Sequence, residues 1–368
     1  MKYSLFSSES VCAGHPDKIC DQISDAVLDA AILANSHSRV ACESLVTTDK
    51  LVLAGEITCP RPLDYRSLAQ KVIQELGYTR DEYHFGPKTD IEVYIHEQSK
   101  DIAVGVDEGG AGDQGMMFGY ATTETSQLMP LPITLAHELV ESMDLLFVKE
   151  LPFLRPDGKS QVTVKYENGR PASVEKIVLA KPQDPTMARE EIKEYLYKLS
   201  IVPILEKYHL PQVSIKNVIF NGTGAWEIGG PASDTGVTGR KIVVDTYGGM
   251  GRIGGGCFSG KDLTKVDRSG AYAARFIAKN IVAAKLADRC EVQLAYAIGV
   301  KDPVGKAIET YSTNKKGQKV IEDFAWNLLD LSVAGIISGL DLLQPIYQKT
   351  SRYGHFGHPE YPWERLIG

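Results

Sequence analysis

Residues 254–275 read GGGCFSGKDLTKVDRSGAYAAR, and the way this stretch folds decides how the rest of the chain is read. Three glycines and further small residues lead into Lys261, Lys265, Asp267 and Arg268, and the stretch ends on an apolar helical pattern. Backbone without side chains brings N–H groups close to an anion, and lysines neutralise it. A carboxylate among those cations has a use if a metal bridges protein and phosphate. The segment therefore predicts a polyphosphate site.

Gly255, Gly260 and Lys261 formally complete a G-x-x-x-x-G-K pattern. Asp262, however, stands where a P-loop carries its magnesium-binding Ser or Thr. The stripe Ala271, Ala274, Ile277, Ala278, Ile281 and Val282 predicts a helix over 269–286, whereas a P-loop starts its helix at the lysine. A P-loop NTPase is excluded and phosphate binding is kept.

The chain has 368 residues, 43% of them hydrophobic and 24% charged, with a net charge of −7. That length suits two or three domains of an ordinary globular protein. No basic face dominates, which argues against a nucleic-acid partner. The first residues lack the apolar core of a signal peptide, and no 18-residue apolar run occurs, so no membrane part is expected. Six cysteines without a C-x-x-C pair fit reduced thiols and a cytoplasmic location.

Three stretches share a rhythm of helices and hairpins. The first predicts a helix over 16–33, strands over 40–47, 51–58 and 91–96, and a helix over 64–76 stopped by Gly77. The second predicts helices over 133–149 and 188–205 with strands over 162–166, 174–179 and 213–221. The third predicts strands over 241–245 and 291–298, the 269–286 helix, and a helix over 321–329. Hairpins alternating with helices point to α+β: three similar domains, each a mainly antiparallel or mixed sheet with helices on one face. Boundaries fall near 1–100, 101–228 and 229–368, with the structural domains interleaved. Glycine-rich connections at 106–119 and 222–239 carry aromatics and isolated carboxylates, unlike passive linkers.

Pro16 suits a first helical position, which puts His15 at the N-cap and turns free N–H groups towards any anion near His15 and Lys18. Asp17 is either a helix-dipole residue or a metal ligand. Glu43 and Glu56 lie on paired strands, as solvated residues or as ligands. Gln98 borders a possible lid over 99–110. Asp157 and Lys159 form a turn, either an ordinary one or one from which Lys159 reaches a phosphate; Asp234, Arg240 and Lys241 flank the strand before the opening motif. Trp226 stacks on a base or belongs to the core. No nucleophile elbow, zinc spacing or Rossmann glycine pattern occurs, so catalysis is expected to rest on orientation and charge.

GHPDK at 14–18, GAGDQGMMFGYA at 110–121, GGPASDTGVTGRKIVVDTYGG at 229–249, the 254–275 stretch and YGHFG at 353–357 closely resemble the S-adenosylmethionine synthetase (methionine adenosyltransferase) family. The resemblance runs in order from Phe6 to Trp363. It implies that methionine sulfur attacks C5′ of ATP and displaces tripolyphosphate, which is then hydrolysed to pyrophosphate and phosphate. It implies ATP contacts from His15, Asp157, Lys159, Ala225, Trp226, Asp234, Arg240, Lys241, Cys257 and Lys261. His15, Lys159, Lys261 and Lys265 would be catalytic. Glu56, Gln98, Asp234 and Lys265 would bind methionine, Asp17 and Asp267 two Mg²⁺ ions, and Glu43 K⁺. The family likeness also implies a homodimer or homotetramer with sites between subunits. Trp226 stands in place of the usual phenylalanine, Ala225 in place of arginine, and Cys257 in place of alanine. The rival readings are a non-catalytic nucleotide-binding regulatory homologue and an ATP-dependent phosphotransferase.

Overall fold

The computed structural model describes residues 4–97 and 109–367, which form three domains built on three sheets. β2 (Arg39–Thr47), β3 (Lys50–Thr58), β4 (Asp90–His96) and the two-residue β9 (Gly236–Val237) make one sheet in the order β4-β3-β2-β9. β1 (Leu5–Val11) pairs antiparallel with β6 (Lys159–Glu167), followed by β7 (Arg170–Ala180) and β8 (Val218–Phe220). β5 (Gly115–Thr122) flanks β10 (Arg289–Tyr296), with β11 (Gly305–Glu309) beyond. Each sheet thus takes one strand from a different third of the chain: β1 joins the second, β5 the third and β9 the first.

Helices cover one face of each sheet. In the first, Val40, Cys42, Val46, Leu51, Leu53 and Ile91 point inwards on the alternating strand pattern and meet the Pro16–Ala34 and Tyr65–Glu75 helices. Leu131–Lys149 lies against β1 and β6, and Val266–Ala283 against β5 and β10. Pro16 at the first position and His15 at the N-cap begin the first helix as expected, and Asp64 caps the second by accepting the Ser67 N–H.

Several expectations need correction. The predicted 241–245 strand is a single helical turn, Ile242–Asp245, in which the Asp245 N–H donates to the Lys241 carbonyl at 2.8 Å. That turn carries the Asp245 carboxylate inwards to Lys18, an attraction that outweighs the β-preference of two valines. The 213–221 strand shrinks to Val218–Phe220, after a 3₁₀ turn at Ile215–Asn217. The 269–286 helix begins earlier, as Val266–Ala283, still five residues past Lys261. The 188–205 helix runs as Arg189–Leu196, a π-helical turn at Tyr197–Ile201, and Val202–Lys207. Residues 115–119 of the first glycine-rich connection are strand. β1 had no expectation at all: its inward Ser8 and Ser10 are satisfied by the Gly248 carbonyl and by His137 Nδ1, both at 2.8 Å.

Candidate active site

Two cation-bearing segments converge on the Pro16–Ala34 helix. At its N-terminus the Asp17 carboxylate accepts the Val237 N–H at 2.9 Å and pairs with Lys241 and, at 3.3 Å, with Arg240. Burial raises the Asp17 pKa, but the Lys241 and Val237 bonds outweigh it, and the carboxyl lies below its usual range. His15 Nδ1 accepts the Asp17 N–H at 3.2 Å. Burial, followed by the positive charges of Lys241 and Lys159, pushes the His15 imidazole down to about 3. The ring is therefore neutral near pH 7, with its proton on Nε2 because Nδ1 is the acceptor. The side chain of Lys159, the first residue of β6, is exposed and has no hydrogen-bond partner among the described residues.

The second segment is the glycine-rich stretch. Its Gly260 has φ +79° and lies so close to β2 that a Cβ would fall 1.9 Å from the Cys42 carbonyl oxygen, so only glycine fits. The Cys42 N–H donates to the Gly260 carbonyl at 2.9 Å, and Ala41 bridges to Lys261. Lys261 pairs with Asp267 at 2.6 Å, and Lys265 with Asp262 at 2.6 Å. Burial lowers the Lys261 pKa, but Cys257 and the bond to Asp267 more than offset it and hold the ammonium above its usual value. Cys257 packs against Gly239, which joins the two segments. Burial pushes its thiol up.

The nucleoside candidates lie beside the first segment. A Cβ on Gly229 would fall 2.4 Å from the Pro182 ring, 3.1 Å from the Trp226 ring and 3.2 Å from the Asp157 side chain. Asp157 accepts the Gly158 N–H at 2.6 Å and the Gly230 N–H at 2.8 Å, yet burial lifts its carboxyl to about 6. Ala225 and Asp234 are exposed on the same connection. Glu43 and Glu56 are exposed on the uncovered face of the first sheet; Glu56 lies opposite Ala41, which in turn bridges to Lys261. Gln98, and residues 99–108 of the expected lid, lie outside the described residues.

Among the described residues no group of three or more His, Cys, Asp or Glu gathers as a metal centre. The donor set instead fits Mg²⁺ carried by a polyphosphate, which needs one or two protein carboxylates and takes its other ligands from phosphate and water. The Asp267 carboxylate occupies space a Cβ on Gly256 would fill, at 2.0 Å, so the glycine keeps room for it.

Matches to known families fall across the whole chain. The models for the N-terminal, central and C-terminal domains of S-adenosylmethionine synthetase match residues 3–100, 108–226 and 228–365. The chain belongs to the S-adenosylmethionine synthetase family. It is 49% identical to an S-adenosylmethionine synthase of Treponema denticola, over 98% of this chain and 96% of that protein.

Lys18, which the sequence set near an anion, is instead paired within the protein, and several other charged residues around these segments carry no signal of their own in the sequence. Lys18 bonds Asp21 at 2.8 Å and Asp245 at 2.5 Å, wholly buried. Asp21 accepts the Gly239 N–H at 2.8 Å, Asp25 pairs with Arg268, and Asp113 adds its charge near Lys261. The spacing of Asp17, Asp21, Asp25 and Asp29 was the available clue, since residues four apart share a helix face.

Proposed function

We propose that the chain joins ATP to L-methionine to give S-adenosylmethionine, with the two cation-bearing segments holding the departing tripolyphosphate. The observation that carries this reading is the pairing of Asp17 with Lys241 and Arg240, and of Asp267 with Lys261. Each carboxylate is balanced by cations that a polyphosphate would take over, which leaves the carboxylate for the metal.

A lone pair of the methionine sulfur forms the bond to C5′ while the C5′–O bond breaks and its electrons pass to the triphosphate. A thioether has no proton to lose, so no general base is required. The cost lies in charge gathering on the leaving group, which fixed cations in a partly buried site stabilise. His15 donates from Nε2, and Lys159 brings an unpaired ammonium to the same oxygen region. Arg240, Lys241, Lys261 and Lys265 hold the phosphates, with Lys265 also facing methionine. Asp17 and Asp267 would hold Mg²⁺, whose contribution is to neutralise the charge on the tripolyphosphate, and Glu43 would hold K⁺. Trp226, Ala225, Asp157 and Cys257 line the nucleoside side. Glu56, Gln98 and Asp234 take methionine, Glu56 by pairing with its ammonium group. Hydrolysis of bound tripolyphosphate to pyrophosphate and phosphate follows.

The uncovered face of the first sheet carries Leu45 and Tyr94, the latter 54% exposed, beside Glu43 and Glu56. A second copy covering this face would enclose both glutamates, so we assign a homodimer or a pair of dimers with shared sites. The six free cysteines suit the cytoplasm.

The test is incubation of purified protein with ATP, methionine, Mg²⁺ and K⁺, with the products separated by mass. S-adenosylmethionine with pyrophosphate and phosphate is expected. ATP binding without a sulfonium product would favour the regulatory homologue, and ADP would favour a phosphotransferase.

A further inference from the structure

Beneath the site, Asp25 and Arg268 form a bidentate ion pair, Nη1 to Oδ1 at 2.7 Å and Nη2 to Oδ2 at 2.8 Å, with both side chains wholly buried. The pair does more than neutralise itself. Asp25 Oδ1 also accepts the Gly260 N–H at 2.9 Å, and Arg268 Nη1 donates to the Lys261 carbonyl at 3.2 Å. The two ends of one short backbone segment, the segment that bears Lys261, are thus gripped by the two ends of one ion pair. Arg268 is itself fixed by Tyr272 Oη at 3.0 Å, by Thr350 Oγ1 at 3.3 Å and by the Tyr347 ring, 4.3 Å below its guanidinium.

Asp25 stands on the same helix as the other anchors. Asp17 takes the Val237 N–H, and Asp21 the Gly239 N–H just before Arg240 and Lys241. One rigid helix therefore spaces the anchor of the 239–241 segment from that of the 260–261 segment. From Asp17 to Asp25 the rise is about 12 Å. A buried ion pair is a poor choice for stability alone, since an apolar pair of the same volume often serves as well or better. An apolar pair could not hold these particular N–H and C=O groups.

We infer that Asp25 and Arg268 are positioning residues: they fix the Lys261 backbone against the Asp17 helix before any substrate arrives, so that both cation-bearing segments present one preset spacing to a polyphosphate. The inference rests on the polyphosphate reading above, and its tests separate the two.

The obvious variant is Arg268→Lys, which keeps a cation beside Asp25 but loses the fork that also reaches the Lys261 carbonyl. In the full-length enzyme it is expected to weaken binding of inorganic tripolyphosphate at least fivefold and to lower kcat at least tenfold. The KM for methionine should stay within about twofold. If Arg268 is merely structural, the variant melts earlier while tripolyphosphate affinity and kcat per folded molecule stay as in the wild type, and the inference is overturned. Should the variant not fold, hydrogen exchange on the ligand-free wild type decides. The Gly260 amide is expected to exchange as slowly as core amides; free exchange that slows only when tripolyphosphate is added would overturn the preset spacing. A wild type that binds tripolyphosphate with a protected Gly260, yet makes no S-adenosylmethionine, would sink the proposed function and leave the positioning role standing.

Discussion

At the scale of single residues, Lys159 and Lys261 illustrate two ways to place a cation. Lys261 is tied to Asp267 and held from below, whereas Lys159 projects from the start of β6 without a partner among the described residues. An unpaired ammonium is best suited to a charge that appears only as the bond to C5′ breaks. Lys159→Met is therefore expected to lower kcat by a factor on the order of 10² to 10³, the usual loss for one preorganised donor. ATP affinity, measured by equilibrium binding, should change by no more than a few-fold; equal losses in binding and rate would contradict the assignment. Asp267→Asn should shift the Mg²⁺ requirement of the reaction upwards by tenfold or more, read from a magnesium titration of the rate. An unchanged titration would remove Asp267 from the metal site. Asp267 was visible in the sequence, because a carboxylate among lysines in a glycine-rich stretch has few structural uses, whereas Lys159 sat in a turn that reads equally well as ordinary. Asp21 and Asp25 were not visible, and Arg268 stood out only as one more cation of the glycine-rich stretch, not as the partner of Asp25. Buried carboxylates are disfavoured unless partnered, and the Gly239 and Gly260 N–H groups that partner these lie more than 200 residues away.

At the scale of elements, the first helix and the glycine-rich stretch behave as one unit. The start of that helix was legible because Pro16 and His15 supply an N-cap signature, and its length because Ile19, Ile23, Ala26 and Val27 keep helical spacing. The turn at Ile242–Asp245 was not legible, since two adjacent valines favour a strand and the Asp245–Lys18 attraction is a tertiary effect. β1 escaped notice for a related reason: its buried positions include serines, whose hydroxyls find partners in the Gly248 carbonyl and His137. Gly260 is where the two elements meet. Gly260→Ala places a methyl against the Cys42 carbonyl and strains a positive φ. A loss of stability of about 1–3 kcal/mol is expected, with a fall in activity larger than the unfolded fraction explains, measured by denaturant unfolding beside the assay. Wild-type activity in this variant would show that the Lys261 segment tolerates displacement.

At the scale of the whole molecule, the exchange of β1, β5 and β9 among three sheets ties the thirds of the chain together, so local sequence rhythm foretold three α+β units but not who lends which strand. It also buries polar groups between them. His137 lies between the Ser10 hydroxyl and Gly354, and burial pushes its imidazole down to about 3. The unfolded chain takes up a proton near pH 6.5 that the folded one refuses until about pH 3. The stability linked to neutral His137 is fully present above pH 6.5 and is lost as pH falls from there towards 3, at up to about 1.4 kcal/mol per pH unit. His137→Gln should flatten the stability–pH curve in that window relative to wild type. Parallel curves would mean that the folded protein protonates His137 in its ordinary range.

The central claim is that the whole triphosphate leaves from C5′, with no protein nucleophile and with the charge taken up by the two segments on the first helix. ATP labelled with ¹⁸O at the oxygen that bridges C5′ and the α-phosphorus tests it directly, in the presence of methionine, Mg²⁺ and K⁺. The label is expected to leave entirely with pyrophosphate and phosphate, and the S-adenosylmethionine to carry none at C5′. Label retained on an adenosine-containing product would mean that a phosphorus–oxygen bond breaks instead, and would contradict the account.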